Sequence, residues 1–188
     1  MLKPRSSKIV QEVDVELFQL PIFWVPFVFT SIVVFGGYSE SLLSLTWVDA
    51  LVRAAADTLP SLERFAAKSR FPDVTRLIFT MAWLFSLFYA LLIARWTPYR
   101  DQFFLGPVVS KRPHLTGLVV ALMIGGGVAF LTLIIPEEST CTRKCFYKSP
   151  AFQVFYTGAG SYLLGHGLAM LYWWLSNFTR IHFSKRLE

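Results

Sequence analysis

The residues LIFTMAWLFSLFYALLIA (77–94) decide the fold class, because they form an uncharged, apolar stretch between Arg76 and Arg95. As an α-helix with a rise of 1.5 Å per residue, a stretch of this length reaches about 27 Å. The hydrocarbon core of a bilayer is about 30 Å thick, and flanking arginines can meet the headgroups at its two surfaces. The stretch therefore predicts a transmembrane helix.

Three more uncharged stretches lie before and after this one. The first of them holds Pro21 near its start and Pro26 farther along, where the ring is predicted to kink the helix. The four predicted spans are residues 17–38, 75–95, 115–136 and 151–176. We therefore predict an all-α, polytopic membrane protein in which residues 1–188 form a single membrane domain with four transmembrane helices.

The composition agrees with a bilayer as the solvent. Hydrophobic residues make up 54% of the chain and charged residues 16%, and Phe (18) and Trp (6) are abundant. A soluble domain usually carries about 25% charged residues. The net charge of +6 is spread over short clusters between apolar runs, which is typical of membrane flanks and not of a basic face that binds nucleic acid. We expect the lipid bilayer as a partner and no direct contact with nucleic acid.

Residues 46–70, between the first two spans, have an amphipathic pattern. Their apolar side chains recur at helical spacing: Trp47, Val48, Leu51, Val52 and Ala55. Asp49, Arg53 and Asp57 fall four apart on another face and can form ion pairs. Leu59-Pro60 is predicted to break the segment into two helices, which lie on the membrane surface or pack over the bundle. A solvated loop with local helix is the alternative. Three residues are predicted to cap the helices that follow them: Thr46, Ser61 and Asp73.

Four spans place both termini on the same side of the membrane. That side then holds ten Lys and Arg residues against eight on the other, which favours cytoplasmic termini, in a bacterial inner membrane. Cys141 and Cys145 fall in the loop between spans three and four, on the oxidising side, where a disulfide between them would persist. Two reduced cysteines are the alternative, because spacing alone does not set disulfide geometry.

Two rows of small residues predict close helix packing. One lies in span three and the other in span four: Gly117, Ala121, Gly125 and Ala129; Gly158, Ser161, Gly165 and Ala169. Small side chains let helix backbones approach closely, which drives association where lipid is as apolar as the helices. We predict that spans three and four pack on each other through these rows. The alternative leaves one row available to a second copy or a different subunit.

His166 is the only classical ionisable side chain well inside a predicted span, with Tyr162 one turn before it. A polar group at this depth is costly without a partner, so we expect a neutral imidazole that points into the bundle or a wet cavity. An interhelical hydrogen bond is one interpretation, and a proton-linked gate or a ligand contact are the functional alternatives. Haem is disfavoured because His114 and His182 lie at or beyond span ends. Two cysteines without further ligands make no zinc site, so we predict no metal and no cofactor.

The loop between spans two and three mixes aromatic and basic side chains: Arg95, Trp96, Tyr99, Arg100, Lys111 and Arg112. Such a loop on the inner face could dock a soluble partner or anionic lipid headgroups, and ordinary interfacial anchoring is the alternative.

No phosphate-binding glycine loop, metalloprotease helix or nucleophile elbow is present in the sequence. We predict a non-catalytic integral membrane subunit, a scaffold, sensor or inhibitor, that acts through helix–helix contacts in a homo-oligomer or a larger membrane complex. A role in bacterial defence or toxin immunity would suit its size. The alternatives are an oligomeric channel or small transporter, and a membrane-embedded enzyme that uses His166.

Overall fold

The computed structural model describes residues 21–69, 71–95, 113–132 and 149–184. Within these ranges the chain forms six helices and no strand, and 91% of the residues are helical. The predicted all-α class is confirmed.

The six helices fall close to the predicted segments. In chain order they are α1 (Pro21–Tyr38), α2 (Thr46–Thr58), α3 (Pro60–Lys68), α4 (Pro72–Arg95), α5 (Pro113–Thr132) and α6 (Pro150–Ser184). Helices α3, α4 and α6 each begin at a proline, and the residue before each of these prolines is not helical. A proline suits this position because its φ is already helical and the first turn needs no N–H from it.

The four long helices alternate in direction. Helices α4 and α6 run in parallel, since Ser161 donates to the Ala82 carbonyl at 3.1 Å and the Trp173 indole to the Ala94 carbonyl at 3.2 Å, both across 79 residues. Helix α1 runs against α4: the Tyr89 hydroxyl reaches the Ile22 carbonyl at 2.7 Å. At the other end of α1, Gly37 meets Leu77 and Val74 near the start of α4. Helix α5 runs against α6, because Gly117 faces Trp174 and Gly126 faces Leu163.

Helix α6 is the central element of the fold. It packs against α5, α4 and α1, whereas α4 and α5 make few contacts with each other. Every fourth residue along one side of α6 is buried: Gln153, Thr157, Ser161, Gly165, Ala169 and Trp173. Most of these side chains are small, so neighbouring helices come close to the α6 backbone.

The amphipathic segment forms two helices that pack over the ends of α1 and α4. Val48 and Val52 of α2 join a buried cluster with Leu77. Phe65 of α3 lies 4.8 Å from Phe79, measured between ring centroids. The predicted break between α2 and α3 is confirmed at Leu59.

The three predicted helix caps are wrong. Leu45 and Leu59 occupy the N-cap positions of α2 and α3, and neither has a side chain that can accept a hydrogen bond. Thr46 is already helical, and Ser61 follows Pro60 inside the first turn of α3. Asp73 is likewise the second residue of α4 and instead accepts a hydrogen bond from the Arg76 side chain.

Two helices, α1 and α4, are long and apolar enough to cross a membrane, and the apolar part of α5, Gly117–Thr132, is shorter. Large apolar side chains also point outward on all four long helices. They include Trp24, Ile32 and Phe35 on α1, Leu87 and Leu91 on α4, Leu118 and Leu122 on α5, and Phe155 on α6.

Candidate functional site

The predicted row of small residues on α6 faces α1 and α4. A Cβ atom built on Gly165 would lie 2.6 Å from the Tyr89 ring, and one on Gly158 would lie 2.7 Å from the Phe27 ring. Ser161 donates its hydrogen bond to α4, and Ala169 is buried in a cluster with Tyr89. The predicted row on α6 is therefore a packing surface within the chain, but its neighbours are α1 and α4.

Helices α5 and α6 pack closely, as predicted, but through other residues than the predicted rows. A Cβ atom on Gly127 would lie 2.5 Å from the backbone nitrogen of Leu164. Gly160 and Gly167 of α6 in turn meet Leu131 and Ile124 of α5. Gly125 itself lies outside this contact, because Gly127 lies about 200° around the helix from it, whereas Gly117 of the same row faces Trp174 of α6 at 3.8 Å.

The predicted row on α5 is largely turned away from the rest of the described chain. A Cβ atom on Gly125 would meet no described atom within 4 Å, and Ala121 is exposed. Gly117 lies at the edge of the row, 3.8 Å from the Trp174 ring, and Ala129 is half-buried. Exposed leucines flank the row: Leu118 is 56% exposed and Leu122 is 65% exposed. The result is a strip of small residues beside large apolar ones on an outer face, which we call the α5 strip (Gly117, Leu118, Ala121, Leu122 and Gly125).

His166 lies inside the bundle, in contact with α4. It is 3% exposed, and its ring centroid is 4.2 Å from that of Tyr162 and 5.4 Å from that of Tyr89. The Tyr89 hydroxyl, in turn, donates to Ile22. The sequence singled out His166 and Tyr162 but not Tyr89, which comes from another helix and shows no pattern of its own.

Two buried hydroxyls elsewhere in the bundle donate to backbone carbonyls of their own helices. Ser86 donates to Ala82 at 2.7 Å and Thr157 donates to Gln153 at 2.6 Å. The Gln153 side chain, 1% exposed, keeps its Oε1 atom without a hydrogen-bond partner among the described residues. The sequence analysis did not single out Gln153. This residue lies one turn into α6, near the end of a predicted span, where a glutamine is usually solvated.

We call α2 and α3 together the hairpin, and Arg76 joins it to α4 through a bidentate ion pair with Glu63 of α3. Its Nε and Nη2 atoms donate to the two carboxylate oxygens of Glu63 at 2.9 and 2.8 Å. These hydrogen bonds hold the pKa of the Glu63 carboxyl below its usual value. The Nη1 atom of Arg76 donates to Asp73 at 2.8 Å. The predicted pair between Asp49 and Arg53 is also present, at 2.7 Å, on the exposed side of α2.

Several predicted site residues lie outside the described residues. They are the two cysteines, Cys141 and Cys145, and most of the predicted partner or lipid loop: Trp96, Tyr99, Arg100, Lys111 and Arg112. Arg95, the first residue of that loop, is the last residue of α4 and is exposed. Across the part of the chain that the structure describes, no group of three or more His, Cys, Asp or Glu side chains is placed to hold a metal ion.

Neither a protein-family model, nor a curated protein, nor a solved structure matches this chain. Two surfaces in the described chain stand out chemically: the aromatic surroundings of His166 inside the bundle, and the α5 strip outside it.

Proposed function

We propose that the chain is a four-span, non-catalytic integral membrane subunit that acts through helix–helix contacts in the bilayer. In this proposal α1, α4, α5 and α6 are the spans, α2 and α3 lie at one membrane surface, and both termini lie on the opposite, cytoplasmic side of a bacterial inner membrane. The partner is a second copy or another membrane protein, and a soluble partner at the inner face is compatible with the basic loop after Arg95.

The α5 strip is the observation that carries the proposal. Helices associate in lipid where small residues let backbones approach, because there is no hydrophobic gain from removing one apolar surface from another. The predicted row of small residues on α6 is covered by α1 and α4, but Ala121 and Gly125 on α5 are not covered by any described helix. An uncovered row of this kind supports an association surface for another helix.

The outward apolar side chains support the membrane part of the proposal. They lie on all four long helices, so lipid would contact the bundle on several sides. The charged residues of the hairpin, by contrast, are gathered beyond the start of α4, where Arg76 pairs with Glu63 and Asp73. This separation of apolar and charged surfaces along the bundle axis is what a bilayer requires.

A leucine at position 125 tests the association surface. Gly125→Leu fills the α5 strip at a position where a Cβ atom meets no described atom within 4 Å, so it should leave the monomer folded and shift the assembly to smaller species. The measurement is the mass of the detergent-solubilised protein by light scattering, together with crosslinking in native membranes. Val119→Leu, at an exposed position of α5 outside the strip, is the matched control and should keep the native mass.

An assembly of unchanged mass and stability in Gly125→Leu would contradict the proposed use of the α5 strip. A monodisperse monomer from native membranes for the unaltered chain would contradict the subunit function itself.

A further inference from the structure

A surface groove of about 500 Å³ lies between the outward faces of α4 and α6, away from the α5 strip. Three alanines, Ala90, Ala94 and Ala169, form its lining next to the helix contact. Because Ala169 is almost fully buried and Ala90 nearly so, these residues lie deep between the helices. We call this surface the α4–α6 groove.

The sides of the α4–α6 groove are formed by leucines: Leu87, Leu91 and Leu168. From Leu87 to Arg95 the groove follows α4 for about 12 Å, at a rise of 1.5 Å per residue. One leaflet contributes about 15 Å to a hydrocarbon core of about 30 Å. The apolar part of the groove, from Leu87 to Ala94, therefore covers about two thirds of the depth of a single leaflet.

The groove changes character at the carboxyl end of α4. Arg95, the last residue of α4, and Tyr172 of α6 complete its lining, and both are exposed. Arg95 forms no ion pair with a carboxylate in the described ranges, whereas Arg53 and Arg76 both do. The indole of Trp173 donates to the Ala94 carbonyl and joins the two helices at this level. The apolar part of the α4–α6 groove thus ends at the guanidinium of Arg95 and the phenol hydroxyl of Tyr172.

We propose that the α4–α6 groove binds one anionic phospholipid from the leaflet that meets the carboxyl end of α4. An acyl chain lies along the alanines between the leucines, and the headgroup phosphate accepts hydrogen bonds from Arg95 and Tyr172. A planar guanidinium matches the oxygens of a phosphate, and basic sites between membrane helices bind anionic headgroups. This inference rests on the proposed membrane location, but not on the α5 strip or on the subunit function.

Retention of lipid by the purified full chain tests the groove. The protein is reconstituted into vesicles of phosphatidylcholine and phosphatidylglycerol at a nine-to-one ratio, extracted again in mild detergent, and its bound lipid counted by native mass spectrometry. We expect one retained phosphatidylglycerol per chain. Arg95→Gln should lower the preference for phosphatidylglycerol by about fivefold, which corresponds to about 1 kcal/mol for one arginine near the surface. Arg64→Gln, on the exposed part of α3, is the matched control and should keep it.

A second variant tests the apolar part of the groove independently of charge. Ala94→Trp fills the groove and should abolish retention of either lipid, while Leu84→Trp, on an outward position of α4 outside the groove, should keep it. Retention of the two lipids by the unaltered chain in the same nine-to-one ratio as in the vesicles, or unchanged selectivity in Arg95→Gln, would overturn the proposal. Loss of a dimer in Ala94→Trp without any loss of lipid would assign the groove to a second copy instead. Resistance of the unaltered chain to carbonate extraction is measured in parallel, so that failure of the membrane location is distinguished from failure of the lipid site.

Discussion

Gly125 and Gly127 are two residues apart on α5 and meet opposite surroundings. A methyl group on Gly127 would lie 2.5 Å from the backbone nitrogen of Leu164 and 2.7 Å from its Cα atom, so α5 and α6 would have to separate. Forcing an extra carbon into a close-packed contact costs about 1–3 kcal/mol. We expect Gly127→Ala to destabilise the folded monomer by that amount, measured as a shift of its unfolding midpoint in mixed micelles.

Gly125→Ala is the matched comparison, because a Cβ atom at this position would meet no described atom within 4 Å. It should leave the monomer's unfolding midpoint unchanged or raise it slightly, since alanine loses less backbone entropy in a helix than glycine. Equal destabilisation by the two alanines would contradict the described rotation of α5.

The spacing of four residues in span three predicted small residues at a helix contact, but it did not identify the glycine that makes the contact. Gly125, Gly126 and Gly127 are consecutive, and α5 is apolar on every side, so hydrophobic periodicity contains no information about its rotation. The rotation depends on side chains of α6, such as Leu163 and Leu164, that have no pattern visible in α5. His166 could be singled out because a histidine in an apolar span is rare, whereas Tyr89 joins it only through tertiary packing.

At the scale of the elements, the hairpin of α2 and α3 is joined to α4 by apolar contacts and by one exposed ion pair. Glu63 has a lowered pKa in the folded chain because Arg76 donates two hydrogen bonds to it. A carboxyl group with a lowered pKa stabilises the folded state above its unfolded pKa of about 4.3 and loses that contribution as the pH falls through the lower, folded value. We therefore expect the contact of α3 with α4 to weaken at acidic pH below about 4.

Hydrogen exchange of the α3 amides against pH measures this effect. Protection of α3 should fall at the acidic end in the unaltered chain, and Glu63→Gln should be less protected at neutral pH and flat across the same range. Asp57→Asn is the control, because Asp57 forms no ion pair in the described chain and the acid-dependent step should remain. A step that persists in Glu63→Gln would assign the pH dependence to another group.

The sequence was enough to predict which helices exist and roughly where they begin and end. It was not enough to predict their N-cap residues. Long uncharged runs and the break at Leu59-Pro60 are local features, so α1, α4 and the hairpin could be predicted from them. Caps depend on where the first helical turn closes, and here prolines set that point: Pro60 takes the first position of α3, which moves the predicted cap, Ser61, inside the helix.

At the scale of the whole molecule, the outward leucines and phenylalanines distinguish a bundle in lipid from a bundle in water. Leu84 lies midway along α4 and is 43% exposed, so Leu84→Arg disturbs little of the interior. In water, an arginine at such a position would change stability by less than about 0.5 kcal/mol. At the centre of a membrane span it raises the apparent free energy of insertion by about 2.5–3.5 kcal/mol. We expect Leu84→Arg to reduce insertion of α4 strongly in a microsomal glycosylation assay, with Leu84→Ala as the control that still inserts. If Leu84→Arg inserts like the unaltered chain, or folds as a water-soluble monomer, the outward face of α4 does not contact lipid, and the four-span proposal and the lipid groove fail together while the packing of α6 against its neighbours stands.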